Sequence, residues 1–252
     1  MLIIENLTIK NNQHTLLSNA NFSVKRGECL AIIGASGSGK SILANALLES
    51  LPRGFVQTGS ISFNNPAHST LAIVAQAATA LNPSSRVRSQ LIQQLEKRWK
   101  RWRQPATQIN LTESLQQASL TKSILPLYPY QLSGGMAKRV LTALALIQDT
   151  DFIVADEPTC GLELQRAQAV FKELAELRNN KKAGSKKGVI IISHDLPGLM
   201  QVADRILVLK DGCIIDETTP QAILSGLANN YTQALWQASP ANWMRRNNAQ
   251  AM

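Results

Sequence analysis

The chain has 252 residues, enough for one large domain or a core domain carrying an inserted lobe. Its 44% apolar content fits a globular protein, and no run approaches the ~18 apolar residues a membrane-spanning helix needs. The formal charge of +9 admits three causes: solvated surface, an anionic lipid surface or nucleic acid.

The amino terminus, Met1-Leu2-Ile3-Ile4-Glu5, shows neither a basic flank nor a cleavage site, so a cytoplasmic location is expected. Leu2–Lys10 and residues 16–24 alternate as strands, with Phe22 and Val24 on one face. After an Arg26-Gly27-Glu28 turn, residues 29–33 read as a short strand buried on both faces. It feeds Gly34-Ala35-Ser36-Gly37-Ser38-Gly39-Lys40-Ser41, and a helix is expected from Lys40 through Leu51. Val56–Phe63 and residues 71–75 give two further strands. From Val87 to Ile147 the period turns helical, with Leu91, Leu95, Trp99 and Trp102 at spacings of four, four and three. Strand–helix alternation resumes over residues 152–155, 164–177, 189–193, 196–202, 206–209 and 213–217, with a tight turn at Asp211-Gly212. The helical stretch therefore reads as an insertion in an α/β pattern. Residues 179–187 read as a surface connection and the last dozen residues as a loose tail.

Much of the positive charge falls in two places. Arg86, Arg88, Lys97, Arg98, Lys100, Arg101 and Arg103 occupy one expected helix and its exit, and Lys181, Lys182, Lys186 and Lys187 occupy one loop. Solvated faces and proximity to lipid headgroups both account for them; nucleic acid is least favoured, because no recognised binding module surrounds these charges. Cys29, Cys160 and Cys213 lack C-x-x-C spacing, which argues against disulfides, zinc or iron–sulfur and for small core residues.

The glycines of residues 34–41 let backbone N–H groups converge on a polyphosphate, and the following helix directs its positive end there. Lys40 would reach the β- and γ-phosphates, and Ser41 would ligate Mg²⁺. Asp156 and Glu157 follow an apolar strand at the end where ligands of α/β sheets collect. Asp156 would hold Mg²⁺ through water, and Glu157 would orient the attacking water or take its proton. As strand neighbours the two should point to opposite sides. Gln76 and His194 likewise follow apolar strands, whereas His14 and His68 read as surface residues. Between these motifs lies Leu132-Ser133-Gly134-Gly135-Met136. Ser133 and two glycines at a helix start form either an ordinary cap or a second anion site built from backbone donors.

In this order the motifs resemble those of the ATP-binding subunits of ABC transporters, over residues 1–232. The resemblance implies an α/β, RecA-like P-loop NTPase core with an antiparallel β subdomain and an α-helical subdomain inserted at about residues 85–145, then a tail at 233–252. It implies that Gln76 contacts Mg²⁺ and the attacking water and relays to a membrane subunit, and that His194 contacts the γ-phosphate. The signature, Ser133, Gly134 and Gly135, would close on the γ-phosphate held by a partner subunit, so that two chains sandwich two ATPs. Three residues depart from the family pattern. Met136 replaces glutamine, Glu163 replaces the aspartate that ends the loop after Glu157, and Asn11-Asn12-Gln13 lacks the aromatic that stacks on adenine.

Tyr128-Pro129-Tyr130-Gln131, Leu81-Asn82-Pro83, Met136 and Tyr231-Thr232 resemble the branch that imports oligopeptides, dipeptides and nickel. That branch pairs D-type and F-type ATPases, and the methionine resembles the D type. Peptide-importing members carry a longer tail with a cysteine cluster, so the nickel-import ATPase fits better. The implied partners are an F-type ATPase subunit, two permeases and a periplasmic or extracellular solute-binding protein, with the chain peripheral on the cytoplasmic face of the inner membrane and no nucleic acid. Import of a peptide or another metal complex is the alternative. A non-transport ABC ATPase of translation or DNA repair is a further one, although those fuse two cassettes or insert long coiled coils. An exporter is disfavoured by the two flanking motifs.

Overall fold

Alternating apolar residues at the amino terminus build a first sheet. Strands β1 (Leu2–Lys10), β2 (Thr15–Val24) and β4 (Val56–Phe63) pair antiparallel in the order β2-β1-β4. Ile4 and Leu7 are three residues apart, so strict alternation would put them on opposite faces, yet both are buried. A register shift between them restores Leu7 to the core, and Asn6 takes a left-handed backbone there, with φ 50°. Side chains satisfy the displaced amides: Asn6 N–H donates to Asn21 Oδ1 at 2.8 Å, and Asn19 N–H to Thr8 Oγ1 at 2.9 Å.

The computed structural model describes residues 1–12, 14–64, 71–74, 81–102, 115–116, 118, 120–147, 150–179 and 186–239. Its second sheet runs β5-β6-β7-β3-β8-β9, from β3 (Cys29–Gly34), β5 (Leu71–Val74), β6 (Phe152–Asp156), β7 (Gly188–Ile192), β8 (Arg205–Lys210) and β9 (Cys213–Thr218). All neighbours are parallel except β8 and β9. Every residue of β3, β6 and β7 is buried, as the apolar runs of strands covered on both faces require, and β6 alone of these ends in a charged residue, Asp156. Successive residues enter opposite cores. Leu30, Ile32, Phe152, Val154, Ile190 and Ile192 meet the antiparallel sheet and α1 (Lys40–Leu47). Their alternates, including Ala31, Ile153 and Ile191, meet α2 (Val87–Trp102), α3 (Gly134–Ile147), α4 (Leu164–Glu176), α5 (Leu196–Leu199) and α6 (Pro220–Leu224), with α7 (Asn230–Gln237) packed beyond. Helices α2 and α3 fall between β5 and β6 in chain order, with Leu91 buried and Leu95 partly so.

Some expectations are corrected. Helix α1 stops at Leu47 rather than Leu51, because Glu49 turns left-handed and Ser50 N–H closes on the Asn45 carbonyl at 2.9 Å. Lys187 is not a solvated loop residue: it is 3% exposed and its Nζ donates to the Thr150 carbonyl at 2.5 Å. Of the cysteines only Cys29 lies in the core, where burial pushes its thiol up to about 12; Cys160 and Cys213 are exposed, and all three are free. Gln76, residues 180–185 and residues 240–252 lie outside the described residues. Among the described residues no helix is long and apolar enough to cross a membrane.

Phe152 joins the two sheets. It is fully buried, its ring lies 5.7 Å from that of Phe63, and it fills the space where Gly188 has no side chain. Phe152→Ala should therefore cost about 3–5 kcal/mol. Urea unfolding would read this as a lower midpoint with an unchanged slope.

Candidate active site

The site gathers at the carboxyl ends of β3, β6 and β7. Strand β3 runs into the loop at residues 34–41, whose turns need glycine. Gly39 has φ 102°, and a side chain on it would meet the Leu16 carbonyl at 2.8 Å. A side chain on Gly34 would collide with the Leu209 carbonyl. The loop is also clamped from outside its own motif. Gly212, in the β8–β9 turn, donates its N–H to the Ser38 carbonyl at 3.1 Å and accepts from Ser18 N–H at 2.8 Å.

Lys40 is 8% exposed and donates from Nζ to the carbonyls of Gly34 (3.0 Å) and Ala35 (2.9 Å). Burial pulls its pKa below the ordinary lysine value, against the opposing pull of Glu157 and Asp156. A buried cation resting on neutral carbonyls leaves room for a stronger, anionic partner. Lys40 opens onto a cavity of about 700 Å³, lined also by Leu16, Ser36, Gly37, Gly39, Ser41, Ile42, Glu157 and His194. Its size is within the range of small-ligand pockets.

Asp156 ends β6 and is buried; burial first, then the Glu157 charge, raises its pKa, while Lys40 lowers it. Its Oδ1 is buried without a hydrogen-bond partner, as is Ser38 Oγ. An orphaned carboxylate oxygen beside the loop that carries Ser41 fits Mg²⁺, a hard cation that takes one or two carboxylates and keeps its waters. Groups of three or more His, Cys, Asp or Glu able to hold a metal are absent among the described residues.

Glu157 corrects the expectation of opposite sides. The strand ends at Asp156, and Glu157 has φ 45°. This left-handed residue is held by its N–H on the Ile192 carbonyl at 2.8 Å. The turn brings both carboxylates within electrostatic reach of Lys40. Glu157 Oε2 lies 3.0 Å from His194 Nδ1 and 3.4 Å from Ser193 Oγ. The His194 side chain is 71% exposed, so it faces the open side of the cavity. This arrangement can bind a polyphosphate and a divalent cation, and it presents one carboxylate to water.

The signature stands apart. Ser133 caps α3, its Oγ accepting from Met136 N–H at 3.2 Å. None of Leu132 to Met136 lines the cavity above the phosphate loop. A side chain added at Gly134 or Gly135 would meet nothing within 4 Å, and neither residue has a positive φ. Among the described residues nothing occupies the space a side chain at either position would take, so that side of the helix start is open. Met136 packs partly against the apolar core, and Glu163 caps α4 without a side-chain bond.

Two contributors escape sequence reasoning. Leu16 gives the cavity an apolar wall on the β2 side, where the Asn11–His14 turn offers no aromatic residue. Its only trace in the sequence is the Leu16-Leu17 doublet, which breaks strand alternation. Gly212 leaves no signal beyond an ordinary Asp-Gly turn.

Residues 17–160 match the pattern of the ABC transporter family. The chain is 31% identical over 253 residues to the metal-staphylopine import system ATP-binding protein CntD of Staphylococcus aureus (strain NCTC 8325 / PS 47), covering 93% of this chain and 92% of that protein. It is 32% identical over 267 residues to the glutathione import ATP-binding protein GsiA of Escherichia coli O1:K1 / APEC, covering 95% of this chain but 42% of that longer protein. Among solved structures, the dimeric ATP-binding cassette MJ0796 in a post-hydrolysis state bound to ADP and Pi superposes with a TM-score of 0.70 at 26% identity, over 87% of this chain and 99% of that one. The two sheets and their helices thus form an ABC ATPase cassette, and the chain belongs to the ABC transporter family as one of its ATP-binding, ATP-hydrolysing members.

Proposed function

We propose that the chain powers import of a metal complex, nickel or a nickel chelate foremost, by hydrolysing ATP between its own phosphate loop and the signature of a second ATPase subunit. The observation that carries the two-chain reading is the pair Gly134 and Gly135, open on their side-chain side and not among the residues that line the chain's own cavity. Two unobstructed amides at a capped helix start suit the terminal phosphate of an ATP held elsewhere.

In this reading Lys40 and the loop amides hold the β- and γ-phosphates, and Ser41 and Asp156 hold Mg²⁺, with Gln76 completing that set. When bound, Mg²⁺ would neutralise charge on the β- and γ-oxygens. Glu157 orients the attacking water and takes its proton, and His194 touches the γ-phosphate and steadies the Glu157 carboxylate. The partners are an F-type ATPase subunit, two permeases that receive force through the helical lobe at residues 85–145, and a solute-binding protein. The chain then sits on the cytoplasmic face of the membrane, bound through the permeases.

The metal reading draws on the likeness to a metal-staphylopine importer over nearly the whole of both chains and on the motifs flanking the signature. The likeness to a glutathione importer keeps a peptide cargo as the second reading. Cargo can be tested in proteoliposomes holding the chain, a second ATPase, the permeases and the binding protein encoded with it. ATP-dependent uptake of radioactive nickel, free or chelated, with no uptake of a labelled dipeptide or of glutathione is expected. Peptide uptake without metal uptake would replace the first reading by the second.

A further inference from the structure

The signature helix and the loop after Glu157 are joined by one side chain. Lys138 lies four residues after Gly134, in the first turns of α3, and its Nζ donates to the Cys160 carbonyl at 2.6 Å. The Cys160 N–H in turn donates to the Glu157 carbonyl at 3.2 Å. Glu157 is the left-handed residue whose Oε2 meets His194. Two consecutive hydrogen bonds therefore connect the signature helix to the backbone that aims the candidate general base.

We infer that Lys138 is a positioning residue that couples the signature helix to Glu157, so that engagement of the signature by another subunit's ATP sets the geometry of hydrolysis at this chain's own site. The inference rests on the two-chain reading above.

Three features favour coupling over simple fastening. Cys160 is exposed, so burial does not hold this part of the loop in place. Lys138 is half-buried and its pKa is lowered chiefly by that burial, so the ammonium gives up hydration to make this contact. A short bond from a cation to a carbonyl is of the stronger, charge-assisted kind. The loop also has room to respond: Gly161 has φ 73°, and a side chain there would meet nothing within 4 Å. A shift of α3 would thus be transmitted to Cys160, and through it to the strained turn at Glu157, without disturbing the phosphate loop. A lysine is suited to this because its long stem spans the gap while its head keeps a single directional contact.

The test uses the complex assembled with the second ATPase subunit and compares wild type, Lys138→Met and Lys138→Arg. Methionine keeps most of the stem and loses the donor; arginine keeps a cationic donor. For Lys138→Met, kcat should fall roughly tenfold, as expected for loss of one charge-assisted hydrogen bond, with the Hill coefficient for ATP dropping toward 1 and KM within about twofold of wild type. Lys138→Arg should recover most of both parameters. Unchanged kcat and Hill coefficient in Lys138→Met would overturn the inference. A loss of ATP binding that accounts for the whole fall in rate, or a failure of arginine to rescue, would also overturn it by making the contact merely structural. The two-chain reading is judged separately, by whether turnover per chain depends on protein concentration and on the second subunit. A turnover independent of both would remove that reading whatever Lys138 does.

Discussion

Glu157→Gln should lower ATP hydrolysis by about 10²–10⁴-fold while leaving ATP binding intact or tighter. Glutamine has the shape of glutamate, and the same N–H on Ile192 would hold its backbone, so the turn at φ 45° should persist. What it loses is an acceptor for the proton of the attacking water. The effect on binding has a definite sign. The Glu157 charge is one of the two causes that raise the pKa of Asp156. Removing it relieves that repulsion and takes a negative charge away from the place of the anionic γ-phosphate, which favours ATP binding. Phosphate release by the assembled ATPase pair, measured beside equilibrium ATP binding, checks both halves. Wild-type turnover would remove Glu157 from its role.

Lys40→Met should weaken ATP binding by about one to two factors of ten, the loss expected for a charged hydrogen bond worth about 1.5–3 kcal/mol. The fold should not suffer. Lys40 has a folded-state pKa below its unfolded value, so the native state holds fewer protons there than the unfolded chain. Its ammonium therefore opposes folding below the folded pKa, and that penalty fades as pH rises through the folded pKa toward the unfolded one. At neutral pH the methionine variant escapes the penalty, so urea unfolding should give an equal or higher midpoint. Nucleotide titration with a fluorescent ATP analogue reads the binding loss. Wild-type affinity would contradict the placement of phosphate at Lys40.

The sequence made the phosphate loop legible because its glycines answer backbone demands visible in the spacing: left-handed turns at Gly37 and Gly39 and close contact at Gly34. The buried strands were legible because burial on both faces leaves no polar residue in β3 or β7. The direction of Glu157 was not. A single left-handed residue after a strand reverses its side chain, and nothing in the Asp156-Glu157 pair announces it. Lys187 misled for a different reason: composition treats a lysine-rich loop as one solvated unit, whereas one member reaches back to the Thr150 carbonyl. The contacts made by Leu16, Gly212 and Lys138 join segments distant in sequence, so only the folded chain brings them to the site. The signature is the opposite case. Its glycines read as either a helix cap or an anion site, and among the described residues nothing fills the space that side chains there would take.

In the proposed reading, hydrolysis at this chain's Asp156 and Glu157 is completed by a second ATPase subunit. The most direct test is the turnover number per chain, measured for the isolated protein over a wide range of concentrations and again with added second subunit. Negligible turnover is expected at high dilution, rising with concentration or on addition of the second subunit and then reaching a plateau. A substantial turnover per chain that stays constant down to the lowest concentration, with no response to the second subunit, would contradict it.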